Sequence, residues 1–377
     1  MTSKSILFYN DSEVFGGHEI MTTHILNRLA DQGAYTLHCL HHAPGFIGQL
    51  HPSIKSHALP FHTKSRTPFM PGTLTRQTTY VKNMIEDIAP DLVVVSQGYA
   101  ESGVRGLLAA RRAKVKTFSY IPFGNNNAEL NNRFAQLRDL VCKVIYRLPD
   151  GYITISNYQA ALLRRFTRPG QDIHVINNPA NFDYAASRAN AVYAPSGRLE
   201  IAVVGRIVFK QKNQRALIPM ARALAEKMDF RIHIIGDGPD RARLQDEIAA
   251  SGLAVHFVLH GWMQKPELTP FLSEHIDLIL IPSLYEGLPL ILLETLYQNK
   301  PFVMSDLGLL NEYDVPKEWL FDPRNPQEMA ESIAGLKACF DPNHYDALRT
   351  RVLALHSTQR FYAEVAAVFD TLLSRAD

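Results

Sequence analysis

The chain alternates short apolar runs, rich in β-branched and aromatic residues, with longer stretches in which apolar positions recur at helical spacing. In the first half this pattern predicts buried strands at Ile6–Tyr9, Leu92–Ser96, Lys116–Tyr120, Tyr152–Ile155 and Ile173–Ile176. In the second half it predicts strands at Ile201–Val204, Arg231–Ile235, Val255–Leu259, Leu278–Ile281 and Phe302–Met304. Amphipathic helical stretches separate them, among them Glu19–Ala30, Leu74–Ile88 and Asn157–Phe166. Such alternation predicts an α/β fold with two parallel sheets.

The join between the two strand–helix series is expected in Ala185–Arg198, a small, polar stretch without periodicity. We therefore predict two Rossmann-like, doubly wound domains, residues 1–190 and 191–357. A helical pattern in residues 358–377 is expected to cross back to the first domain. Because parallel sheets bind ligands at the carboxyl ends of their strands, the expected site is a cleft between the domains.

Composition and charge narrow the class of protein. The 377 residues are 46% hydrophobic and 20% charged, which is typical of a folded globular protein. The net charge of +2 gives no whole-chain excess that would favour nucleic acid. The charge is uneven, however: residues 1–190 hold 20 basic and 13 acidic side chains, and the remainder holds 19 and 24. The basic first half favours a negatively charged ligand or surface.

Cysteines, histidines and acidic residues give no sign of a disulfide framework or a metal. The three cysteines are an odd number and far apart, and the chain has no C-x-x-C pair, no D-x-D and no metal-ligand spacing among its fifteen histidines. The first residues lack the apolar core of a signal peptide, and no apolar run is long enough to cross a bilayer. We therefore expect a cytoplasmic protein that needs neither metal nor cofactor.

Two glutamates in Leu278–Glu294 are candidates for binding a hydroxylated ligand. A loop after the predicted strand carries Glu286 and Gly287, and a helix is predicted to begin at Pro289. The free N–H groups of a helix terminus suit phosphate. Glu294 has core-like neighbours, where a carboxylate is costly unless hydroxyl donors such as those of a sugar or ribose reach it. Either glutamate alone is typical of a solvated surface; their joint placement indicates a site.

A second segment places positive charge directly after a strand. Gly205 and Arg206 follow the predicted strand, and Lys210 and Lys212 precede a helix. Two fixed cations in a partly desolvated site can neutralise a diphosphate. The alternative is a helix start with solvated basic side chains, which is more common for a lone lysine. Arg206 favours the functional interpretation because its neighbours are apolar.

Glycine turns follow strands in two equivalent places. Gly236 follows the strand at Arg231–Ile235, and Gly16 and Gly17 follow the first strand, where glycine lets the backbone approach a ligand closely. A tight strand-to-helix turn would also require glycine. Neither G-x-G-x-x-G nor a P-loop is present, so the chain does not support a dinucleotide oxidoreductase.

Taken in order, these segments resemble glycosyltransferase family 4, also called glycosyl transferases group 1, whose members have the GT-B fold. The resemblance covers nearly the whole chain. It rests on Gly16–Gly17 with Glu19, Ile153–Ser156, Val175–Pro179, Gly205–Arg206 with Lys212, Ile235–Pro239, Gly261, Pro282–Ser283, and Glu286 separated by seven residues from Glu294. It implies sugar transfer from a nucleotide donor with retention of anomeric configuration.

The resemblance implies roles residue by residue. Arg206 and Lys212 would bind the donor diphosphate and stabilise it as it leaves, and Glu286 would hold hydroxyls of the transferred sugar. Glu294 would bind the ribose. The remaining implied donor contacts are Gly16, Gly17, Gly205, Gly236, Gly287 and Leu288. Trp262 and Met263 are candidates for the edge of the nucleobase. The departing phosphate oxygen would take the proton of the acceptor, so no protein nucleophile is required.

Three departures from the family pattern affect these roles. The spacing in GRIVFKQK is one residue longer than the common form, so Lys210 competes with Lys212 for the phosphate. Residues 115–127 lack the histidine that many relatives place near the donor sugar, which leaves Tyr120 or Asn125 as substitutes. His18 stands where the glycine loop usually has a small residue.

The basic first domain would, by resemblance, hold the acceptor. One basic cluster comprises Arg111, Arg112, Lys114 and Lys116, and a helical pattern carries Arg133, Arg138, Lys143 and Arg147 beside Phe134, Leu137, Leu140, Val141 and Val144. Such a helix can lie on an anionic membrane and present the site to a lipid-linked or lipopolysaccharide acceptor. From sequence, the commoner arrangement is an amphipathic helix packed on a sheet with a solvated charged face.

The sequence thus predicts a retaining glycosyltransferase of surface polysaccharide or lipopolysaccharide biosynthesis, on the inner face of the cytoplasmic membrane. Its expected donor is a UDP-sugar, with GDP-mannose second, and its acceptor a glycan or lipid-linked hydroxyl. Two alternatives stay open: a nucleotide-sugar epimerase or hydrolase on the same fold, and an inactive binding subunit. The joint presence of Arg206, Lys212, Glu286 and Glu294 speaks against the inactive subunit.

Overall fold

A computed structural model describes residues 3–13, 16–42, 44–46, 48–61, 71–124, 127–129, 133–180 and 197–374. The chain divides into two compact units, Met1–Asn178 with Gln359–Asp377, and Pro179–Thr358. The predicted boundary between residues 190 and 191 falls outside the described residues. None of the described helices combines the length and apolar character needed to span a bilayer.

The first unit is built on a parallel sheet that, over the described residues, has seven strands in the order β3-β2-β1-β4-β5-β6-β7. The strands are β1 Lys4–Asn10, β2 Tyr35–His41, β3 Lys55–Ala58, β4 Leu92–Ser96, β5 Thr117–Tyr120, β6 Gly151–Thr154 and β7 Asp172–Val175. The helices between them are α1 Gly17–Gln32, α2 Pro71–Ile88, α3 Val104–Ala113, α4 Ala135–Ile145 and α5 Asn157–Arg164. The central strands β1 and β4 are apolar because both faces of a parallel sheet are covered by helices.

The second unit repeats this architecture with six described strands in the order β10-β9-β8-β11-β12-β13. They are β8 Leu199–Val204, β9 Phe230–Ile235, β10 Phe257–Gly261, β11 Leu278–Ile281, β12 Phe302–Ser305 and β13 Leu320–Phe321. Its helices are α6 Phe209–Lys212, α7 Leu217–Ala225, α8 Arg241–Ala250, α9 Lys265–His275, α10 Leu290–Tyr297, α11 Pro326–Cys339 and α12 Pro342–Leu355. The predicted α/β class with two doubly wound, Rossmann-like sheets is confirmed.

In each sheet the strand order reverses beside the first strand of the unit. The chain runs outward through β2 and β3 and then returns to place β4 beside β1; β11 returns to β8 in the same way. Loops that leave neighbouring strands at such a switch point diverge and open a crevice at the carboxyl edge of the sheet. In the second unit this point lies between β8 and β11.

The last helix, α13 Thr358–Ser374, packs on the first unit. The rings of Phe369 and Phe8 stack with centroids 5.9 Å apart. The Tyr35 hydroxyl donates to Asp370 Oδ1 at 2.6 Å, and the Asn177 side-chain amide donates to Glu364 Oε1 at 2.9 Å. The chain therefore returns to the first unit after it has completed the second.

The ten predicted strands all form, with ends that differ from the prediction by at most two residues. Leu92–Ser96 and Leu278–Ile281 have the predicted bounds. The strand predicted at Val255–Leu259 begins two residues later, because residues 254–256 form a 3-10 turn ahead of it. Three described strands, β2, β3 and β13, were not predicted.

Candidate functional site

Two of the predicted donor residues, Lys212 and Glu286, meet where the loops after β8 and β11 leave the sheet. The main-chain N–H of Leu284 donates to the carbonyl of Gln211 at 2.7 Å and ties the two loops together. Across this link, the Lys212 ammonium donates to Glu286 Oε1 at 2.5 Å. The Ser283 hydroxyl donates to the same oxygen at 2.8 Å. The fold therefore brings together a lysine and a glutamate that are far apart in sequence.

The Glu286 carboxylate is largely buried and is held by two hydrogen-bond donors. Its side chain is only 8% exposed. A carboxylate taken out of water needs a positive partner and hydrogen-bond donors, and here Lys212 and Ser283 supply them. Glu286 is thereby fixed in place at the carboxyl edge of the sheet.

The single turn of α6 sets the directions of the two lysine side chains. Residues two apart on a helix are about 200° apart around its axis, so Lys210 and Lys212 point in nearly opposite directions. The Lys212 Nζ lies 3.9 Å from the position that a β-carbon on Gly205 would occupy, whereas Lys210 is exposed. Asn213 then ends the turn in the left-handed conformation, with φ of 57°. The structure therefore places Lys212 beside Gly205 and Glu286.

Arg206 follows Gly205 and is exposed, while its neighbour Ile207 is buried. Its main-chain carbonyl accepts a hydrogen bond from the Gln214 side chain at 2.9 Å, which fixes the loop. Within the part of the chain that the structure describes, no carboxylate pairs with the Arg206 guanidinium. A permanently charged group with no counter-ion is suited to an incoming anion.

Gly236 fixes the arginine loop through close backbone packing. Its N–H donates to the Gly261 carbonyl at 2.7 Å, and its φ of 143° belongs to a region that side chains rarely adopt. A β-carbon on Gly236 would overlap the carbonyl of Gly205, and one on Gly238 would overlap that of Ile207. The turn after β9 thus supports the loop that carries Arg206. Contact between Gly236 and a donor stays a prediction.

We expect Gly236→Ala to destabilise the protein by at least about 3 kcal/mol, because the new methyl group would overlap backbone in a strained conformation. Denaturant unfolding of the purified variant would measure the loss. Gly335→Ala is the matched control: this glycine is exposed on α11 with no atom within 4 Å of the added carbon. It should stabilise the protein by about 0.5–1 kcal/mol. Equal stability of the two variants would contradict the packing described.

Glu294 lies on α10, which begins at Leu290 rather than at the predicted Pro289; the proline is the N-cap. The Lys265 ammonium is 3.5 Å from Glu294 Oε1. Burial raises the pKa of Glu294, and Lys265 acts in the opposite direction. Because Lys265 begins α9, this pair joins α10 to the segment after β10 that carries the exposed Trp262 and the half-buried Met263.

In the first unit, Gly16 is the N-cap of α1 and Gly17 is its first residue. The Gly16 N–H donates to Glu19 Oε2 at 2.9 Å, and His18 Nε2 lies 2.8 Å from Glu19 Oε1. Burial opposes ionisation of Glu19, but its contacts with His18 and Ser12 outweigh this and lower its pKa. His18, the unusual residue of this loop, is thus held by a buried carboxylate.

The two candidates for the missing histidine differ in what the structure shows. Tyr120 is buried at the end of β5, and its hydroxyl has no hydrogen-bond partner among the described residues. Burial strongly raises the pKa of Tyr120. Asn125 lies outside the described residues. The role of either in sugar transfer stays a prediction.

Sequence reasoning missed the side chains that support the candidate residues. Ser283 donates to Glu286, Lys265 pairs with Glu294, and Asp240 Oδ2 accepts the Phe209 N–H at the start of α6, at 2.8 Å. The nearness of Ser283 to Glu286 in sequence was an available signal; the other two contacts cross between elements. Over the described ranges, no three histidine, cysteine or acidic side chains are grouped so that they could hold a metal ion.

Comparisons with known proteins cover both units. The family model described as Glycosyltransferase Family 4 matches residues 15–184, and the one described as Glycosyl transferases group 1 matches residues 189–350. A 2-deoxystreptamine glucosyltransferase of Streptomyces kanamyceticus is 32% identical over 82 residues. That stretch is 22% of this chain and 21% of the relative, so the match spans about a fifth of the relative's length.

Solved structures match over nearly the full length. The lipopolysaccharide outer core galactosyltransferase WaaB is 17% identical, with a TM-score of 0.69 over 98% of this chain and 99% of the other. The Anabaena protein HepE in complex with UDP-glucose is 17% identical, with a TM-score of 0.71 over 97% and 99% of the two chains. At this identity the likeness shows the fold, and the predicted GT-B class is confirmed.

Proposed function

Because the chain belongs to glycosyltransferase family 4, we propose that it transfers a sugar from a nucleotide donor to an acceptor hydroxyl, with retention of anomeric configuration. One observation carries the proposal: Lys212 is held by Glu286 at the carboxyl edge of the second sheet, in the segment that also carries Arg206, whose guanidinium pairs with no carboxylate of the described residues. A planar guanidinium and a compact ammonium together suit the two phosphates of a nucleoside diphosphate.

The proposed catalysis is electrostatic. As the bond between the sugar and the β-phosphate breaks, negative charge grows on the departing phosphate oxygen. Arg206 and Lys212 stabilise that charge, because positive groups that lie close to the departing oxygen bind the transition state more strongly than the ground state. The acceptor oxygen forms the new bond to the sugar, and its proton passes to the departing phosphate. No side chain acts as a nucleophile.

Glu286 would hold the sugar while the phosphate departs. Because Lys212 and Ser283 fix one of its oxygens, the carboxylate cannot rotate freely to follow a moving substrate. A positioned acceptor of hydroxyl hydrogen bonds lowers the entropic cost of reaching the reactive geometry. Glu294 would bind the ribose, with Trp262 and Met263 at the base. Gly287 and Leu288 would contribute main-chain contacts to the phosphate and sugar.

The proposed donor is a UDP-sugar, with GDP-mannose second. The HepE structure, which shares the fold, holds UDP-glucose, and this supports a uridine donor here. The proposed acceptor is a glycan or lipid-linked hydroxyl of a surface polysaccharide or lipopolysaccharide. The basic first half and the likeness to WaaB, named for the lipopolysaccharide outer core, support this acceptor class and a place at the inner face of the cytoplasmic membrane.

A thermal-shift panel of UDP-glucose, UDP-galactose, UDP-N-acetylglucosamine, GDP-mannose and ADP-glucose tests the donor. A ligand at a hundred times its Kd stabilises the folded state by about 2.7 kcal/mol, so the true donor should raise Tm by several degrees and further with the logarithm of its concentration. Arg206→Ala should reduce the shift at a given donor concentration. A panel without any shift would contradict the proposal, and a shift with GDP-mannose alone would replace the uridine assignment.

A further inference from the structure

Helix α4 exposes the apolar side chains that an amphipathic helix normally buries. Its buried side, which includes Cys142 and Ile145, faces the protein. Five other apolar side chains are between 40% and 69% exposed. We call them the α4 stripe: Phe134, Leu137, Leu140, Val141 and Val144. A helix that only packed on its sheet would turn such residues inward, so the commoner arrangement expected from the sequence is wrong for this face.

The α4 stripe is continuous and has a positive border. At about 100° of rotation per residue, its five positions fall within an arc of about 120°. Lys143 and Arg147 lie along one side of that arc, Arg133 comes directly before Phe134 ahead of the helix, and all three are exposed. We call these three residues the basic flank. The Arg133 guanidinium also lies over the ring of Phe134, 5.2 Å from its centroid.

The nearest acidic groups are engaged elsewhere. The Asp139 carboxylate accepts the main-chain N–H groups of Asn127 and Ala128, at 2.7 and 3.1 Å. Glu101 forms a two-point ion pair with Arg138. Both carboxylates are therefore bound by groups of the protein, and the surface around the α4 stripe is apolar and positive.

More positive charge lies just beyond the end of α4. The segment that leaves the helix contributes Leu148 and Asp150 to the wall of a shallow depression of about 300 Å³. Asp150 is the one acidic side chain among its lining residues. The basic residues of this wall are Arg111, Lys114, Lys116 and Arg168. An anionic group that approached α4 would meet a net positive surface here as well.

We propose that the α4 stripe docks this protein on an anionic lipid bilayer. The apolar side chains would enter the boundary between headgroups and acyl chains, and the basic flank would contact the acidic headgroups. An anionic bilayer is complementary to this surface, because its apolar acyl chains lie directly beneath negatively charged headgroups. The inference takes its lipid-linked acceptor from the proposed function and adds the surface that brings the enzyme to it.

Flotation of the purified full chain with vesicles tests the docking. We expect binding to vesicles of phosphatidylcholine with phosphatidylglycerol, and much weaker binding to phosphatidylcholine alone. The combined variant Leu137→Ser, Leu140→Ser and Val144→Ser should lower the partition coefficient at least about tenfold. Lys143→Gln with Arg147→Gln should lower it about 30-fold on the anionic vesicles at low salt, and less as salt rises.

Matched controls come from the second unit. Val255 is 77% exposed, and Lys227 is an exposed cation. Val255→Ser therefore removes an exposed apolar side chain, and Lys227→Gln removes an exposed positive charge, at positions outside α4. Both should bind vesicles as the unchanged chain does. Size-exclusion chromatography of each variant checks the oligomeric state.

Three results would overturn the inference. The first is that the unchanged chain does not float with anionic vesicles. The second is that the triple serine variant floats as well as the unchanged chain. The third is that the α4 stripe joins two copies of the chain in a dimer that the triple serine variant dissociates. Because the second unit carries the donor residues, the thermal shift with UDP-sugars should persist in every α4 variant. Vesicle binding without that shift would contradict the proposed function and leave the docking surface standing; the shift without vesicle binding would do the reverse.

Discussion

Lys212→Ala is expected to lower kcat/KM for the nucleotide-sugar about 100- to 1000-fold, the size of effect seen when one positioned group that stabilises transition-state charge is removed. The Lys212 ammonium is the cation that the fold places against Glu286. Its removal takes a positive charge from the diphosphate and also takes the ammonium of this ion pair from a mostly buried carboxylate. Steady-state rates with the donor that gives the largest thermal shift would measure the loss.

Lys210→Ala is the matched control for this variant. The same residue type is removed two positions earlier, where the side chain is exposed on the other side of the α6 turn. The rate should stay within a few-fold of that of the unchanged enzyme. A loss as large as that of Lys212→Ala would make Lys210 the phosphate lysine.

Glu286→Gln is expected to lower kcat about 100-fold while the thermal shift with the donor persists. Glutamine keeps the shape of the side chain but loses its charge, so the sugar hydroxyls lose a charge-assisted acceptor. The Lys212 ammonium remains, and with its carboxylate neutralised it is still available to the diphosphate. In this variant kcat should therefore fall while donor binding, measured by the thermal shift, is retained.

Arg206→Ala provides the contrast. Its guanidinium has no carboxylate partner within the described chain, so its loss should weaken both donor binding and turnover. A charged hydrogen bond contributes about 1.5–3 kcal/mol, which corresponds to a rise in Kd of about 10- to 100-fold. Unimpaired activity in either Glu286→Gln or Arg206→Ala would contradict the assigned roles.

Strands that are continuous apolar runs could be predicted from the sequence. Strands whose polar side chains are paired with residues on another strand could not. Leu92–Ser96 and Leu278–Ile281 are apolar runs of the kind that both faces of a parallel sheet require. The strand β2 carries buried histidines that its pattern does not explain. His41 lies 2.7 Å from the Ser56 hydroxyl and His38 lies 3.2 Å from His57, both on β3. These contacts cross the sheet between strands that are distant in sequence, which the sequence does not display.

For the candidate site, too, the sequence predicted what depends on local residue order and left open what depends on tertiary contacts. Residue types and order identified Arg206, Glu286 and Glu294 as candidates, but the spacing left two lysines open. The choice depends on where α6 ends and on the hydrogen bond that joins its last turn to the loop after β11. The α4 stripe has the same periodicity whether its apolar face is buried or exposed, so only the tertiary structure could decide.

The return of α13 to the first unit has a consequence for the order in which the two units fold. Phe8, on β1, stacks on Phe369, which is synthesised after the whole of the second unit. Domains usually acquire their structure in the order in which they emerge. Here the amino-terminal half must wait, with part of its apolar surface uncovered, until the carboxyl-terminal half has been translated. The second unit is thus the one able to fold first, and α13 then completes the unit whose sheet was synthesised before it.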